Sequence, residues 1–186
     1  MISFSDKWVM ASVHKNVRRG IFVNPEKTLE SLKKLSKDAV IQIFDASCIV
    51  SVKQIHAAAV ATHLAFKAGS NISKKFEIEF LLRLSADTQI ERVLNKIGVK
   101  PETLEVGFCV ISNDKSAVLR ASRDVVHLIG GEPMSEEELK SEERLDKAME
   151  FYGITEKELE SVQASSKAEA VLLLILERIA TLDLKR

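Results

Sequence analysis

The sequence predicts an α+β fold, a helix-dominated single domain over residues 1–186 with a small mixed β-sheet packed against helices. Three observations carry this expectation. Two apolar, β-branched runs, Val40–Phe44 and Leu104–Ile111, read as neighbouring buried strands, joined by strands near the N-terminus. Most of the remaining chain has helical periodicity. A chain of 186 residues can also bury about 70% of its unfolded surface, so it needs no metal or disulfide staple.

In order along the chain, residues 1–24 alternate loosely, as in Trp8–Val13 and Gly20–Val23, and read as one or two short strands before the turn at Asn24-Pro25. Pro25–Lys37 places Leu29, Leu32 and Leu35 at helical spacing. Ser51 is the expected N-cap of a helix over Val52–Ala68 that ends at Gly69. Its interior, Ile55, Ala58, Ala59, Thr62, Ala65 and Phe66, is rich in small side chains that permit close helix approach. Helices are expected over Ser73–Ala86, over Thr88–Ile97 with Asp87 as its cap, and over Lys115–Ile129 closed by Gly130-Gly131. Residues 132–165 form an acidic helical segment, with helices expected over Ser135–Tyr152 and Thr155–Val162. A strongly apolar helix, about Ser166–Leu182, completes the chain.

Lys+Arg and Asp+Glu both number 27, which excludes a globally basic nucleic-acid coat but leaves room for local patches. The charge is unevenly placed. Residues 53–100 hold eight basic and four acidic side chains, whereas residues 132–160 hold eleven acidic and four basic ones. Lys67, Lys74 and Lys75 bracket the turn Gly69-Ser70-Asn71, where backbone N–H groups and a helix start are natural phosphate ligands. A solvated lysine cluster without a ligand is the alternative reading. One Trp and one Tyr argue against an aromatic stacking platform for single strands.

Motifs for catalysis are missing. There is no phosphate-binding glycine loop and no nucleophile elbow. His56 and His63 lack a nearby third ligand, so no metal site is expected. Glu77 and Glu79 point about 200° apart on a helix, so they do not form a carboxylate pair. Cys48 and Cys109 read as small buried hydrophobes. No catalytic residue and no cofactor are expected. The longest apolar run, Ala170–Leu176, is too short to cross a bilayer, and the first residues do not read as a signal peptide, so a cytoplasmic protein is expected. That run is apolar all round, which requires either sandwiching within its own domain or a docked partner.

Three pieces within Ser51–Val99 carry a resemblance. They are the Ala-rich helix Val52–Ala59; Ser70-Asn71-Ile72-Ser73 leading into Phe76–Ser85; and Asp87-Thr88-Gln89-Ile90 with Val93-Leu94 and Ile97-Gly98-Val99. The ending Glu177–Leu184 and Gly130-Gly131 add to it. This pattern resembles the kinase-binding subunit of KEOPS, the complex that makes threonylcarbamoyladenosine at position 37 of tRNA. The resemblance covers most of residues 40–186, is weaker over 132–165 and is weakest over 1–38.

The resemblance implies a non-catalytic subunit with two contacts. The C-terminal helix, residues 166–184, would dock the N-lobe of the small atypical kinase/ATPase subunit, with Leu172, Leu176 and Ile179 as the expected stripe. The basic turn would hold the single-stranded 3′ CCA end of tRNA. Lys67, Lys74, Lys75 and Arg83 are the expected phosphate contacts, with Asn71 and Gln89 reading base or sugar edges. Two local alternatives stand beside these roles. Arg83 is spaced to pair with Glu79, and Gln89 is placed to satisfy a helix start. A protein scaffold that binds the kinase without tRNA, and an enzyme with an unrecognised site, are the competing functions.

Overall fold

A computed structural model describes residues 1–35 and 37–185. The α+β class is observed, with eight α-helices and five strands among the described residues. Residues 1–46 and 94–134 form one compact unit; residues 47–93 and 135–186 form a second.

The first unit is built on a sheet of strands β1 (Ile2–Phe4), β2 (Lys7–Lys15), β3 (Val40–Asp45), β4 (Val106–Ser112) and β5 (Glu132–Pro133). The spatial order is β1-β2-β4-β3, with β5 paired to the end of β2. Every pairing is antiparallel, which corrects the expected mixed sheet. The reason is topological. Helix α1 (Pro25–Leu35) carries the chain across from β2 to a parallel β3, and β4 fills the slot between them, antiparallel to both. The two predicted core strands are neighbours, with Ile41 opposite Val110 and Ile43 opposite Phe108. Residues 20–23, read as strand-like, instead form turns: Val23 N–H donates to Gly20 O at 3.2 Å while Phe22 is buried.

Helices α1 and α5 (Lys115–Ile129) pack on this sheet. Leu32 is buried, whereas the side chains of Leu29 and Leu35 lie outside the described residues. Ile41, Ile43, Phe108 and Val110 meet Val118, Ala121, Val125 and Ile129 of α5 in one apolar cluster. Asp114 caps α5 by accepting the Ser116 and Ala117 N–H groups. Gly107 is required because a Cβ there would collide with the Phe44 ring. Cys48 and Cys109 are both buried thiols, and burial pushes the Cys109 thiol up to about 12.

The second unit is helical. Helix α2 (Val52–Ala68) begins at Ser51, whose side chain accepts the Lys53 N–H, and ends at Gly69 in the left-handed conformation, φ 67°. It packs against α3 (Phe76–Leu84) and α8 (Lys167–Ala180). Helices α6 (Glu142–Tyr152) and α7 (Glu156–Ser161) pack on α8 as well. The single long helix expected over Ser135–Tyr152 is interrupted. A 3-10 turn at Glu138–Lys140 precedes α6, and Ser141 between them is extended at ψ 146°. Val50, Leu145, Met149, Tyr152, Val171, Leu174 and Ile175 make the core. A buried chain of hydrogen bonds crosses it: Gln54 Nε2 donates to Tyr152 Oη at 2.6 Å, and Tyr152 Oη donates to Leu84 O at 2.6 Å. Helix α4 (Ile90–Ile97) leads the chain back to the first unit, and Asp87 bonds the Gln89 N–H just before it. No described helix is long and apolar enough to cross a membrane.

Candidate functional site

Most residues singled out from the sequence fall in two parts of the second unit, while Gln89 lies apart from both, just before α4. One part is the surface between α2 and α8, and the other is the turn from α2 into α3, with Arg83 on α3 itself.

Between α2 and α8 lies a groove of about 460 Å³. Helix α2 spends one face on the core, through Ile55, Ala58, Ala59, Thr62 and Ala65. Its second face, Ala57, Val60, Ala61 and Leu64, forms one wall of the groove; Leu176, Ile179 and Ala180 of α8 form the other. Leu64 is 55% exposed, a large apolar surface to leave in water unless something covers it. The small residues of α2 are what allow the groove: they keep that wall shallow.

The predicted docking stripe is therefore divided. Leu176 is half-buried and lines the groove. Leu172 is half-buried and packs against the core. Ile179 is 1% exposed and belongs to that core, which corrects its reading as a freely presented docking residue. The cause is angular, because α8 packs on several sides with α2, α3, α6 and α7, so little of its circumference remains outside. Sequence reasoning missed Leu64 and its neighbours as a groove wall, although positions 57, 61, 64 and 68 repeat at helical spacing. The more apolar α8 outweighs that signal.

The turn is organised by Glu79. Its Oε2 accepts the Ile72 N–H at 2.7 Å and the Ser73 N–H at 2.8 Å, and its Oε1 accepts from Arg83 Nε at 3.0 Å. Glu79 is fully buried. The anion that these two backbone N–H groups bind is thus an internal carboxylate, so they are closed to phosphate. In the turn read as a phosphate cradle, the Gly69 N–H is taken by Phe66 O and the Ser70 N–H by Ala65 O, which corrects the expectation for those two, and the Lys75 N–H is taken by Ser73 Oγ.

Arg83 is 1% exposed. Its Nη1 and Nη2 donate to the two Asp183 oxygens at 3.0 and 2.6 Å. Burial opposes its charge, but the hydrogen bonds to Asp183 and Glu79 outweigh burial and raise its pKa. The structural alternative weighed for Arg83 is the one that the geometry realises, and its reading as a surface phosphate contact is corrected. The apolar neighbours Phe80, Leu81, Leu82 and Leu84 bury this helix, so a cation in it must be paired internally.

Lys67, Lys74, Lys75 and Gln89 are all exposed. Lys67 closes α2, and Lys74 and Lys75 directly precede α3. Asn71 is half-buried, with its Nδ2 donating to Ser73 O at 3.0 Å, which fixes the turn from within. At Gln89 the local bond is made by the backbone, whose N–H donates to Asp87 Oδ1 at 3.0 Å. Among the described residues, no three His, Cys, Asp or Glu side chains are grouped as metal ligands would be.

A family model described as kinase binding protein CGI-121 matches residues 14–183 of the chain. No curated protein matches it.

Proposed function

This chain belongs to the kinase binding protein CGI-121 family, and from that premise we propose that it docks a protein kinase through the α2/α8 groove and recruits tRNA through the basic turn. The observation that carries the reading is the exposed apolar groove flanked by Leu64 and Leu176. A kinase N-lobe covering it would remove that apolar surface from water, as helix-in-groove recognition does. In this reading the kinase is the small atypical kinase/ATPase subunit of KEOPS, and the chain contributes no catalysis of its own.

For tRNA the exposed cations are Lys67, Lys74 and Lys75, with Gln89 and the Asn71 edge as polar readers. Phosphate contacts from lysines position a nucleic acid without reading its sequence, which suits the 3′ CCA end shared by all tRNAs and its presentation for threonylcarbamoylation at position 37. Arg83 supports the turn indirectly, by pairing with the carboxylate that holds its backbone.

A second reading, a kinase-binding scaffold without tRNA contacts, is favoured by one observation: the Ile72 and Ser73 N–H groups of the turn are already occupied. A titration of the protein with one tRNA, intact and trimmed of its CCA end, at two salt concentrations separates the two. Loss of binding on trimming supports 3′-end recruitment. Equal or absent binding leaves the scaffold.

A further inference from the structure

The first unit holds a cavity of about 540 Å³ between α5 and β2. Strand alternation puts Met10, Ser12 and His14 of β2 on the face where Phe108 of β4 lies, opposite Ser12 in the register. Met10, Phe108 and Val126 supply apolar lining. Of the polar residues that line the cavity two are buried, His14 at 3% exposure and Ser122 at 7%, while Ser12 is half-buried. Neither His14 Nδ1 nor Ser122 Oγ has a hydrogen-bond partner among the described residues.

Buried polar atoms are nearly always paired, because an unpaired one has given up its hydrogen bonds to water for nothing in return. Two such atoms in one cavity select against an aliphatic occupant and for one whose buried edge carries hydrogen-bonding groups. The His14 ring centroid is 5.8 Å from that of Phe108, so a flat ring entering here meets aromatic surface as well. Burial lowers the His14 pKa, which keeps the imidazole neutral and able to accept as well as donate. Arg123 and His127 of α5 also line the cavity and are exposed. Arg123 is steadied by its Nε–H donating to Leu119 O at 3.3 Å, and a guanidinium suits an anionic group, above all phosphate.

We propose that this cavity binds a nucleoside monophosphate, with the base between Met10, Phe108 and Val126, its polar edge on His14 and Ser122, and its phosphate on Arg123 and His127. The size is in the range of sites for such ligands. None of these residues belongs to the groove or the basic turn, so the proposal stands or falls separately from the kinase and tRNA readings.

The test is a titration of the full chain with AMP, CMP, GMP and UMP, followed by calorimetry and by amide resonances. Saturable binding of at least one nucleotide is expected, with perturbed amides in residues 10–14 and 119–127. The matching nucleoside should bind at least about tenfold more weakly, as should Arg123→Ala, since a hydrogen bond to a charged group is removed. Ser122→Ala, a conservative change at a buried site, should weaken binding by about fivefold. No saturable binding by any of the four, unchanged affinity in both variants, or perturbations confined to other residues would overturn the proposal. A short single-stranded RNA that displaces the bound nucleotide assigns the site to an RNA end. Retention of the nucleotide assigns it to the free form; either supports the cavity.

Discussion

Arg83 and Asp183, a hundred residues apart in sequence, meet through a two-pronged ion pair of 3.0 and 2.6 Å. The same guanidinium reaches Glu79, whose other oxygen holds the backbone of residues 72 and 73. One buried cation thus ties the stretch after α8 to the turn that carries Lys74 and Lys75. Replacing it should be costly, because Glu79 would remain as a buried charge without its partner. Arg83→Met is expected to lower unfolding free energy by about 3–5 kcal/mol. Asp183→Asn should cost about 1 kcal/mol or less, since that carboxylate is 40% exposed. Urea unfolding checks both. Equal destabilisation in the two variants would show that Glu79 is not the group at stake.

Within α8, Leu176 and Ile179 should behave differently. Leu176→Arg places a charge in the groove, and the protein should remain folded while its kinase binding weakens by about 2 kcal/mol or more, roughly thirtyfold in Kd. Leu64→Arg should do the same from the opposite wall. Ile179→Arg should unfold the protein, because its side chain is in the core. Circular dichroism and a kinase pull-down distinguish these outcomes. A folded Leu176→Arg protein that binds kinase normally would remove the groove from consideration.

Charge reversal at Lys74 and Lys75 should weaken tRNA binding and flatten its salt dependence. The logarithmic slope should fall by about 0.7 for each single-strand phosphate that is no longer neutralised. Kinase binding should not change. If tRNA affinity and salt slope both stay constant, the scaffold reading leads.

Acid should destabilise the protein through His56. Burial lowers its pKa to about 4 from 6.5, against the opposing pull of Glu136. The unfolded chain therefore binds more protons than the folded one between those values, so stability is full above pH 6.5 and falls as pH drops toward 4. His14 shifts in the same direction. Melting temperature measured across that window should decline, and His56→Gln should flatten the decline. An unaltered slope in the variant would assign the acid sensitivity elsewhere.

Tyr152→Phe should cost about 1–3 kcal/mol, since it strands Gln54 Nε2 and Leu84 O inside the core. Thermal unfolding measures it. A neutral substitution would mean that these groups find other partners.

Local sequence is a good guide wherever the information is local. Ser51 and Gly69 bound α2, and Lys115–Ile129 is a helix over the predicted residues, because caps and periodicity act within a few residues. Val40–Asp45 and Val106–Ser112 pair as neighbours, since both runs must be buried. The mixed sheet is not what forms, because strand direction depends on which strand enters the slot between β2 and β3, a choice made by distant chain. Arg83 escapes a sequence reading for a related reason. Its i−4 partner is visible in the sequence, but Asp183 is not, and the second partner is what commits the whole guanidinium inward.

What the sequence by itself determined is the α+β class, the position of most helices and the two-pole charge pattern, all of which follow from short-range periodicity and composition. Tertiary structure alone decided which apolar residues are left exposed. Ile179 and Leu176 are chemically alike, three residues apart and both along the groove, yet packing of α8 against its neighbours buries the first and leaves the second half-exposed. It also decided that the turn's N–H groups hold Glu79. Burial and pairing are properties of what surrounds a residue, and those surroundings come from far along the chain.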